Sequence, residues 1–241
     1  MFEITRMCNM SCAHCLRGTA EKLRMQKVYI DRTLKNVSCI HNLVITGGEP
    51  TLAIDLIQYI YFKCVEYGVE VNNVWVTTNG KIRSRKFLDV MTEFIEYSKE
   101  FDGEISGVSL STDQFHSIIP EENYWFYTSY QYYDDCKTVG KLKSTIPEGR
   151  AKENALYTNN YFRTLKDETL YAHINRDGEL FLDEGVIYLN AKGDFLFNCD
   201  YSFETQELRK KGNIMDSENA LRDCILKYAK FENEEDSVCA V

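Results

Sequence analysis

Hydrophobic residues follow two spacings along the first two-thirds of the chain, and these predict alternating strands and helices. Short apolar runs rich in β-branched residues predict strands at residues 2–5, 42–46, 74–78 and 105–111. Apolar positions that recur every three or four residues predict helices over residues 31–40, from Leu52 to a stop at Gly68, and from a cap at Ser84 through Ile95. Strands that alternate with helices predict parallel βαβ units and therefore an α/β fold.

The last third of the chain has the pattern of β-hairpins followed by a helix. The two hairpins pair residues 170–174 with 179–182, and residues 186–189 with 194–197. A final apolar stripe predicts a helix capped by Asp216 or Ser217, and it consists of Leu221, Cys224, Ile225 and Tyr228. We therefore expect a core domain over residues 1–183 and a C-terminal extension, a hairpin plus a capping helix, over residues 184–241.

Composition is that of an ordinary globular protein. Of the 241 residues, 44% are hydrophobic and 27% are charged, which excludes a disordered chain. No apolar run reaches the roughly 18 residues that cross a bilayer, and no export signal is visible, so we expect a cytoplasmic protein without membrane contact. The 28 Lys and Arg against 37 Asp and Glu give a net charge of −9, which argues against nonspecific binding to nucleic acid.

Cysteine is the residue type whose distribution is unusual. The chain has nine cysteines, and three of them, Cys8, Cys12 and Cys15, lie together just after the first predicted strand. An odd number of cysteines in a chain without a visible export signal does not favour a disulfide framework. Iron–sulfur clusters are held by cysteine thiolates, and a set of three leaves one iron without a protein ligand. The alternative is a structural zinc site, completed by His14, Cys39 or Cys199.

Polar segments follow each of the four predicted strands at its carboxyl end. In parallel α/β folds these ends lie at one edge, and the chemistry gathers there. Besides the cysteine segment, the polar segments are Gly47–Pro50, Thr78–Gly80 and Ser111–Asp113. We therefore expect all four segments at one rim of the fold.

These motifs resemble those of the radical S-adenosyl-L-methionine (radical SAM) enzymes. The resemblance rests on CNMSCAHC at residues 8–15, TGGEP at residues 46–50 and STD at residues 111–113, and it covers most of residues 1–150. It implies a partial (β/α)6 barrel with a [4Fe–4S] cluster at its mouth. It also implies that the iron without a cysteine ligand chelates the amino and carboxylate groups of SAM. One electron then splits the sulfonium, and the 5′-deoxyadenosyl radical takes a hydrogen atom from a substrate.

The resemblance also implies roles for individual residues. Cys8, Cys12 and Cys15 would hold the cluster. His14 stands where the family commonly has an aromatic residue near the adenine, and an imidazole can stack similarly. The remaining implied SAM contacts are Gly47, Gly48 and Glu49 at the amino group, Asn79 after the third strand, and Ser111 and Asp113 at the ribose. Each of these segments can alternatively be an ordinary turn or helix cap.

Two further residues are candidate catalytic groups. His116 lies just beyond Asp113, where it could bind or protonate a substrate. Arg150 is predicted to close another strand, where its guanidinium could meet a carboxylate of SAM or of the substrate. A structural histidine and a solvated arginine are the alternatives.

Several substrate classes fit a radical SAM enzyme of this size. The C-terminal hairpin resembles the start of the extension found in peptide-modifying members, which favours a peptide or protein side chain. Aromatic residues at positions 124–133 could instead stack a nucleobase, although packing of a barrel helix is the favoured interpretation of this stretch. Activation of a glycyl-radical enzyme is a third possibility. The non-catalytic alternative is a zinc-binding module.

By the same resemblance, electrons would come from a flavodoxin or ferredoxin. The candidate docking surface for that donor is the basic group Arg17, Lys22, Arg24 and Lys27.

Overall fold

The structure, a computed structural model, describes residues 1–101, 103, 105–112, 115–116, 118–135, 145–157 and 168–231. The strands are β1 (Phe2–Glu3), β2 (Cys39–Thr46), β3 (Glu70–Thr78), β4 (Gly107–Leu110), β5 (Tyr171–Ile174), β6 (Leu180–Glu184), β7 (Tyr188–Leu189), β8 (Asp194–Leu196), β9 (Gly212–Asn213) and β10 (Lys230–Phe231). The helices are α1 (Lys27–Leu34), α2 (Ile54–Tyr67), α3 (Arg85–Ser98), α4 (Glu121–Thr128), α5 (Gly149–Glu153), α6 (Phe203–Arg209) and α7 (Ala220–Tyr228).

A mostly parallel sheet confirms the predicted α/β class. Within the described ranges, seven strands pair in the order β4-β3-β2-β1-β7-β8-β9. Strands β1 to β4 pair in parallel and β7 is parallel to β1, whereas the pairs β7–β8 and β8–β9 are antiparallel. Within the described residues, β1 to β4 alternate with helices α1 to α3. The six-unit barrel stays a prediction.

The core lies under one face of this sheet. Side chains alternate along β2 and β3, so that Leu43, Ile45, Val74 and Val76 are at most 1% exposed. They share one hydrophobic cluster with the apolar faces of α1, α2 and α3. Each fully buried aliphatic side chain stabilises the fold by about 1.5–3 kcal/mol. This packing fixes the strands whose carboxyl ends form the rim.

Element boundaries differ from the predictions at two places near the start of the chain. Helix α1 spans Lys27–Leu34, earlier than the predicted 31–40. Strand β2 begins at Cys39 rather than at Asn42, because Cys39 and Ile40 pair with the beginning of β3. The residues Cys-Ile-His-Asn have no clear alternation, so only the pairing with β3 shows that they are extended.

The predicted hairpins and the last helix are confirmed. Strand β5 pairs with β6, and β7 pairs with β8, both antiparallel. Helix α7 buries three of the four residues of its predicted stripe, and Tyr228 is 39% exposed. The predicted cap of α7 is wrong: Asn219 is the residue before the helix, and no side chain caps it.

The sheets take strands from both sides of the predicted domain boundary at residues 183 and 184. Strand β7 lies beside β1, so the predicted extension continues the large sheet. Strands β5 and β6 form a separate three-stranded sheet with β10, in the order β10-β5-β6. The division into two domains stays a prediction.

Helix lengths bear on membrane contact. Helices α2 and α3 each have 14 residues. In the part of the chain that the structure covers, no helix is both long enough and apolar enough to cross a membrane.

The cap of α3 gives a first test of the fold. Ser84 Oγ accepts a hydrogen bond from the Phe87 N–H at 3.2 Å, as its position predicted. We expect Ser84→Ala to lower the free energy of unfolding by about 1 kcal/mol in urea denaturation, because the N–H loses its acceptor. The Ser84→Asp control keeps an acceptor and should stay close to wild type. Equal stability of wild type and Ser84→Ala would contradict the cap.

Candidate functional site

The carboxyl ends of β1 to β4 lie at one edge of the large sheet, as predicted. The parallel pairs Glu3 with Thr46, Ile45 with Val76, and Thr78 with Leu110 set this alignment. Four segments follow these ends: the cysteine loop (residues 8–15), the glycine turn (residues 47–50), Asn79 and Ser111. The polar segments singled out in the sequence therefore share one rim.

The glycine turn lies directly against the residues that lead into the cysteine loop. The Gly48 N–H donates to Thr5 O, and the Glu49 N–H donates to Met7 O, both at 2.8 Å. A Cβ on Gly47 would lie 2.5 Å from Thr5 O, and a Cβ on Gly48 would lie 2.3 Å from Met7 O. Real Cβ atoms do not approach this closely. Both positions therefore require glycine because the two backbones are in contact.

Glu49 ties the end of β2 to the end of β3. Its side chain is buried, and its carboxylate accepts hydrogen bonds from Thr51 N at 3.1 Å, Thr51 Oγ1 at 2.7 Å, Thr78 Oγ1 at 2.6 Å and Asn79 N at 2.9 Å. A buried carboxylate is costly unless it is hydrogen-bonded, and four donors meet that need. Glu49 therefore makes the rim rigid.

Asn79 connects β3 to the cysteine loop. Its Nδ2 donates to Asn9 Oδ1 at 2.8 Å and lies 4.0 Å from Cys8 Sγ. Its Oδ1 accepts from Lys81 N at 3.0 Å, which confirms the interpretation as a turn residue. The same side chain thus shapes a turn and contacts the loop, and its contact with SAM stays a prediction.

The three thiols of the cysteine loop are half-buried and close in the chain. The Cys15 N–H donates to Cys12 O at 3.2 Å, and the Met10 N–H donates to Cys8 Sγ at 3.4 Å. Burial raises the pKa of the Cys8 thiol; the Met10 N–H opposes this shift, and the charges of Glu49 and Cys15 add to it.

The loop presents three thiols, which either an iron–sulfur cluster or a structural zinc site would use, and the identity of the bound group stays a prediction. Across the described residues, no three His, Cys, Asp or Glu side chains are grouped closely enough to hold a metal. Cys39, a candidate fourth zinc ligand, is the first residue of β2 and lies about 23 Å of strand away from the rim. Three thiols on one loop are the set that the sequence predicts for a cluster with one open iron.

Helix α5 packs on the cysteine loop. The Arg150 N–H donates to Cys15 O at 2.9 Å, and Arg150 Nη1 donates to Ser11 Oγ at 2.6 Å. Asn154 Nδ2 donates to Ala13 O at 2.9 Å. The prediction that Arg150 closes a strand is wrong, because it lies in α5. Its guanidinium holds the loop.

His14 and His116 are brought together at the rim. The His14 ring stacks on Phe115 with centroids 5.0 Å apart, and it meets the His116 ring edge-on at 4.6 Å. The sequence did not single out Phe115, although it adjoins His116. These three rings form an aromatic cluster beside the third cysteine.

The two predicted ribose contacts follow β4. The Ser111 N–H donates to Thr78 O at 2.9 Å, which joins the end of β4 to that of β3. Asp113 lies outside the described residues. The role of both residues in binding SAM stays a prediction.

The proposed basic docking surface is partly used within the chain. Arg17 Nη1 donates to Tyr201 O at 2.6 Å, and its guanidinium lies 5.0 Å from the centre of the Tyr188 ring. Arg24 forms an ion pair with Asp55. Lys22 and Lys27 are exposed. Lys27 Nζ also lies 4.5 Å from the centre of the Tyr59 ring, and docking of an electron donor on this surface stays a prediction.

A buried polar network behind the cysteine loop is the feature that the sequence did not reveal. Arg6 Nε donates to Glu3 Oε1 at 2.9 Å, and both side chains are at most 1% exposed. Gln206 bridges the pair, and the Tyr188 hydroxyl donates to Glu3 Oε2 at 2.6 Å. Burial acts to lower the pKa of Arg6, but Glu3 and Glu21 outweigh it and raise that pKa. The only sequence signal is a charged residue inside β1.

Comparison with known proteins gives no family for this chain. No protein-family model matches it, and no curated protein matches it. The chemistry of the rim is therefore the basis for assigning a function.

The glycine turn gives a direct test of this site. We expect Gly48→Ala to lower the free energy of unfolding by about 1–3 kcal/mol, because the new methyl group overlaps Met7 O. Urea denaturation measures the loss. Gly212→Ala is the matched control, since a Cβ there has its nearest atom at 3.4 Å. The close contact would be refuted if the two variants were equally stable.

Proposed function

We propose that this chain is a radical SAM enzyme, which holds a [4Fe–4S] cluster on Cys8, Cys12 and Cys15 and cleaves SAM reductively. The observation that carries the proposal is the meeting of the cysteine loop, the glycine turn and Asn79 at the carboxyl edge of parallel strands. The donor set supports it, because three thiols leave an iron open for the cofactor.

The order of the strands supports the barrel that the proposal requires. Strands β1, β2, β3 and β4 are neighbours in chain order, each parallel to the next, with helices α1, α2 and α3 between them. Successive parallel neighbours of this kind are the repeating unit of a β/α barrel. We infer that β1 to β4 are the first four units of a partial (β/α)6 barrel.

When bound, the cluster would supply the electron that splits the sulfonium of SAM into methionine and a hydrogen-abstracting fragment.

The backbone of the glycine turn suits a protonated amine. The N–H groups of Gly48 and Glu49 donate to Thr5 and Met7, so the backbone of these residues can offer a ligand carbonyl oxygens but no N–H group; the Glu49 carbonyl oxygen also accepts from Leu52 N at 3.1 Å. Carbonyl oxygens accept hydrogen bonds from an ammonium group. Glu49 keeps the turn in place with a carboxylate that is already hydrogen-bonded.

The aromatic cluster of His14, Phe115 and His116 suits the adenine side of the site. It lies beside the third cysteine, and flat rings stack on nucleobases. We assign His116 to the mouth of the site, where it binds or protonates the substrate. Arg150 positions the cysteine loop through Ser11 and Cys15.

Part of the aromatic stretch 124–133, the basis of the nucleotide alternative, packs inside the fold. Tyr127 is buried, and its hydroxyl donates to Ile82 O at 2.5 Å. The Tyr130 hydroxyl lies 3.0 Å from Thr92 Oγ1. These two rings pack against α3 and its preceding loop, whereas Tyr124 and Trp125 are 40% and 61% exposed. The resemblance of the C-terminal hairpin to peptide-modifying enzymes therefore carries the choice of substrate, and we favour a peptide or protein side chain, with a flavodoxin or ferredoxin as electron donor.

Anaerobic reconstitution with iron and sulfide tests the proposal. We expect about four iron and four sulfide per chain, and 5′-deoxyadenosine together with methionine when SAM and dithionite are added. Cys12→Ala should lose iron and product, because it removes one of three ligands. The control Cys39→Ala changes an exposed thiol at the far end of β2 and should retain both.

Two results would contradict the proposal. One is a colourless protein that binds zinc and does not cleave SAM. The other is equal formation of 5′-deoxyadenosine by wild type and Cys12→Ala, since the product would then not depend on the cysteine loop.

A further inference from the structure

We propose that Gln206 is a positioning residue for the cysteine loop, acting through Arg6. The inference deepens the proposed function and rests on it only for the identity of what the loop binds. Gln206 lies in α6 of the predicted C-terminal extension, whereas Arg6 lies two residues before Cys8.

Gln206 connects Glu3 and Arg6 through hydrogen bonds, and its Oε1 also accepts from Asn190 Nδ2 at 3.3 Å. Its Nε2 donates to Glu3 Oε2 at 2.9 Å, and its Oε1 accepts from Arg6 Nη2 at 2.8 Å. Arg6 Nε in turn donates to Glu3 Oε1 at 2.9 Å. All three residues are fully buried. An amide can serve the carboxylate and the guanidinium at once, because it carries both a donor and an acceptor.

The position of Arg6 sets where the cysteine loop begins. Its N–H donates to Leu23 O at 2.9 Å, and its carbonyl accepts from Glu21 N at 3.1 Å. Its side chain is held by Glu3 and Gln206 on one side and by Glu21 Oε2 at 3.1 Å on another. With backbone and side chain both fixed, the residues that follow leave the sheet in one direction.

The same C-terminal segment also holds the far end of the loop. The Phe203 N–H donates to Arg17 O at 3.0 Å. Glu148, just before α5, accepts from Ser202 N at 3.1 Å and from Thr205 Oγ1 at 2.8 Å. Residues 202–206 therefore contact Arg6, just before the cysteine loop, and Arg17, just after it. They also contact Glu148, the residue before α5. The two ends move apart only if these contacts break.

Removing the amide of Gln206 should loosen the loop selectively. Glu3 and Arg6 would each lose one partner in a site without water access, and a buried charged group that loses a hydrogen bond is costly. Opening the entry of the loop exposes both groups to water and relieves this cost. Glu3 belongs to β1 of the large sheet, whereas the apolar side chains under α1 to α3 are not partners in these hydrogen bonds.

Site-resolved alkylation of the metal-free protein tests the inference. In Gln206→Met, we expect iodoacetamide to modify Cys8, Cys12 and Cys15 about tenfold faster than in wild type, which corresponds to about 1.4 kcal/mol. Cys39 is the internal control, because it is exposed at the opposite end of β2, and its rate should be unchanged. Ser98→Ala, which removes a buried hydroxyl in α3, is the matched variant and should leave all four rates unchanged.

The pattern of rates decides between positioning and general stability. Unchanged rates at the three loop cysteines in Gln206→Met would overturn the inference. Faster modification of the buried Cys64 as well would also overturn it, since that indicates loosening of the whole core. If Gln206→Met does not fold, Tyr188→Phe removes one hydrogen bond from the same carboxylate, and a rise of about threefold confined to the loop is expected.

The alkylation test of Gln206 can fail independently of the reconstitution test of the proposed function. A wild-type chain that takes up no iron would refute the radical SAM proposal while the alkylation pattern still held. A chain that takes up iron normally but shows no effect of Gln206→Met would refute only the positioning role.

Discussion

Two backbone hydrogen bonds, from Gly48 to Thr5 and from Glu49 to Met7, hold the start of the cysteine loop against the end of β2. They form only because residues 47 and 48 have no side chains and the two backbones can touch. Glu49 then extends the connection to β3 through Thr78 and Asn79. The position of three thiols thus depends on the register of the parallel strands, which the hydrophobic core sets.

The C-terminal part of the chain completes this arrangement from behind. Strand β7 pairs with β1, and α6 places Gln206 between Glu3 and Arg6. Strands β1 to β4 and the strands β7 to β9 of the last third are therefore joined at β1. A segment that the sequence presents as an appendage is part of what fixes the cysteine loop.

The sequence predicted the features that depend on local patterns. Each parallel strand is a short apolar run with a polar end, so the rim of the cysteine loop, Gly47–Pro50, Asn79 and Ser111 could be placed before the structure was known. Hairpins were predicted from their glycine turns in the same way. The sequence could not predict the Glu3–Arg6–Gln206 network, because Gln206 lies 200 positions from Arg6 and polar residues are normally expected at the surface. Arg150 was assigned to a strand end because its contacts with Ser11 and Cys15 are likewise nonlocal.

The central claim is that three cysteines leave one iron open to SAM. Low-temperature electron paramagnetic resonance of the reconstituted, reduced protein tests this most directly, with and without SAM labelled at its amino nitrogen. The account predicts a cluster signal whose g values change on adding SAM and which shows coupling to the labelled nitrogen. A cluster signal that SAM leaves unchanged would contradict it.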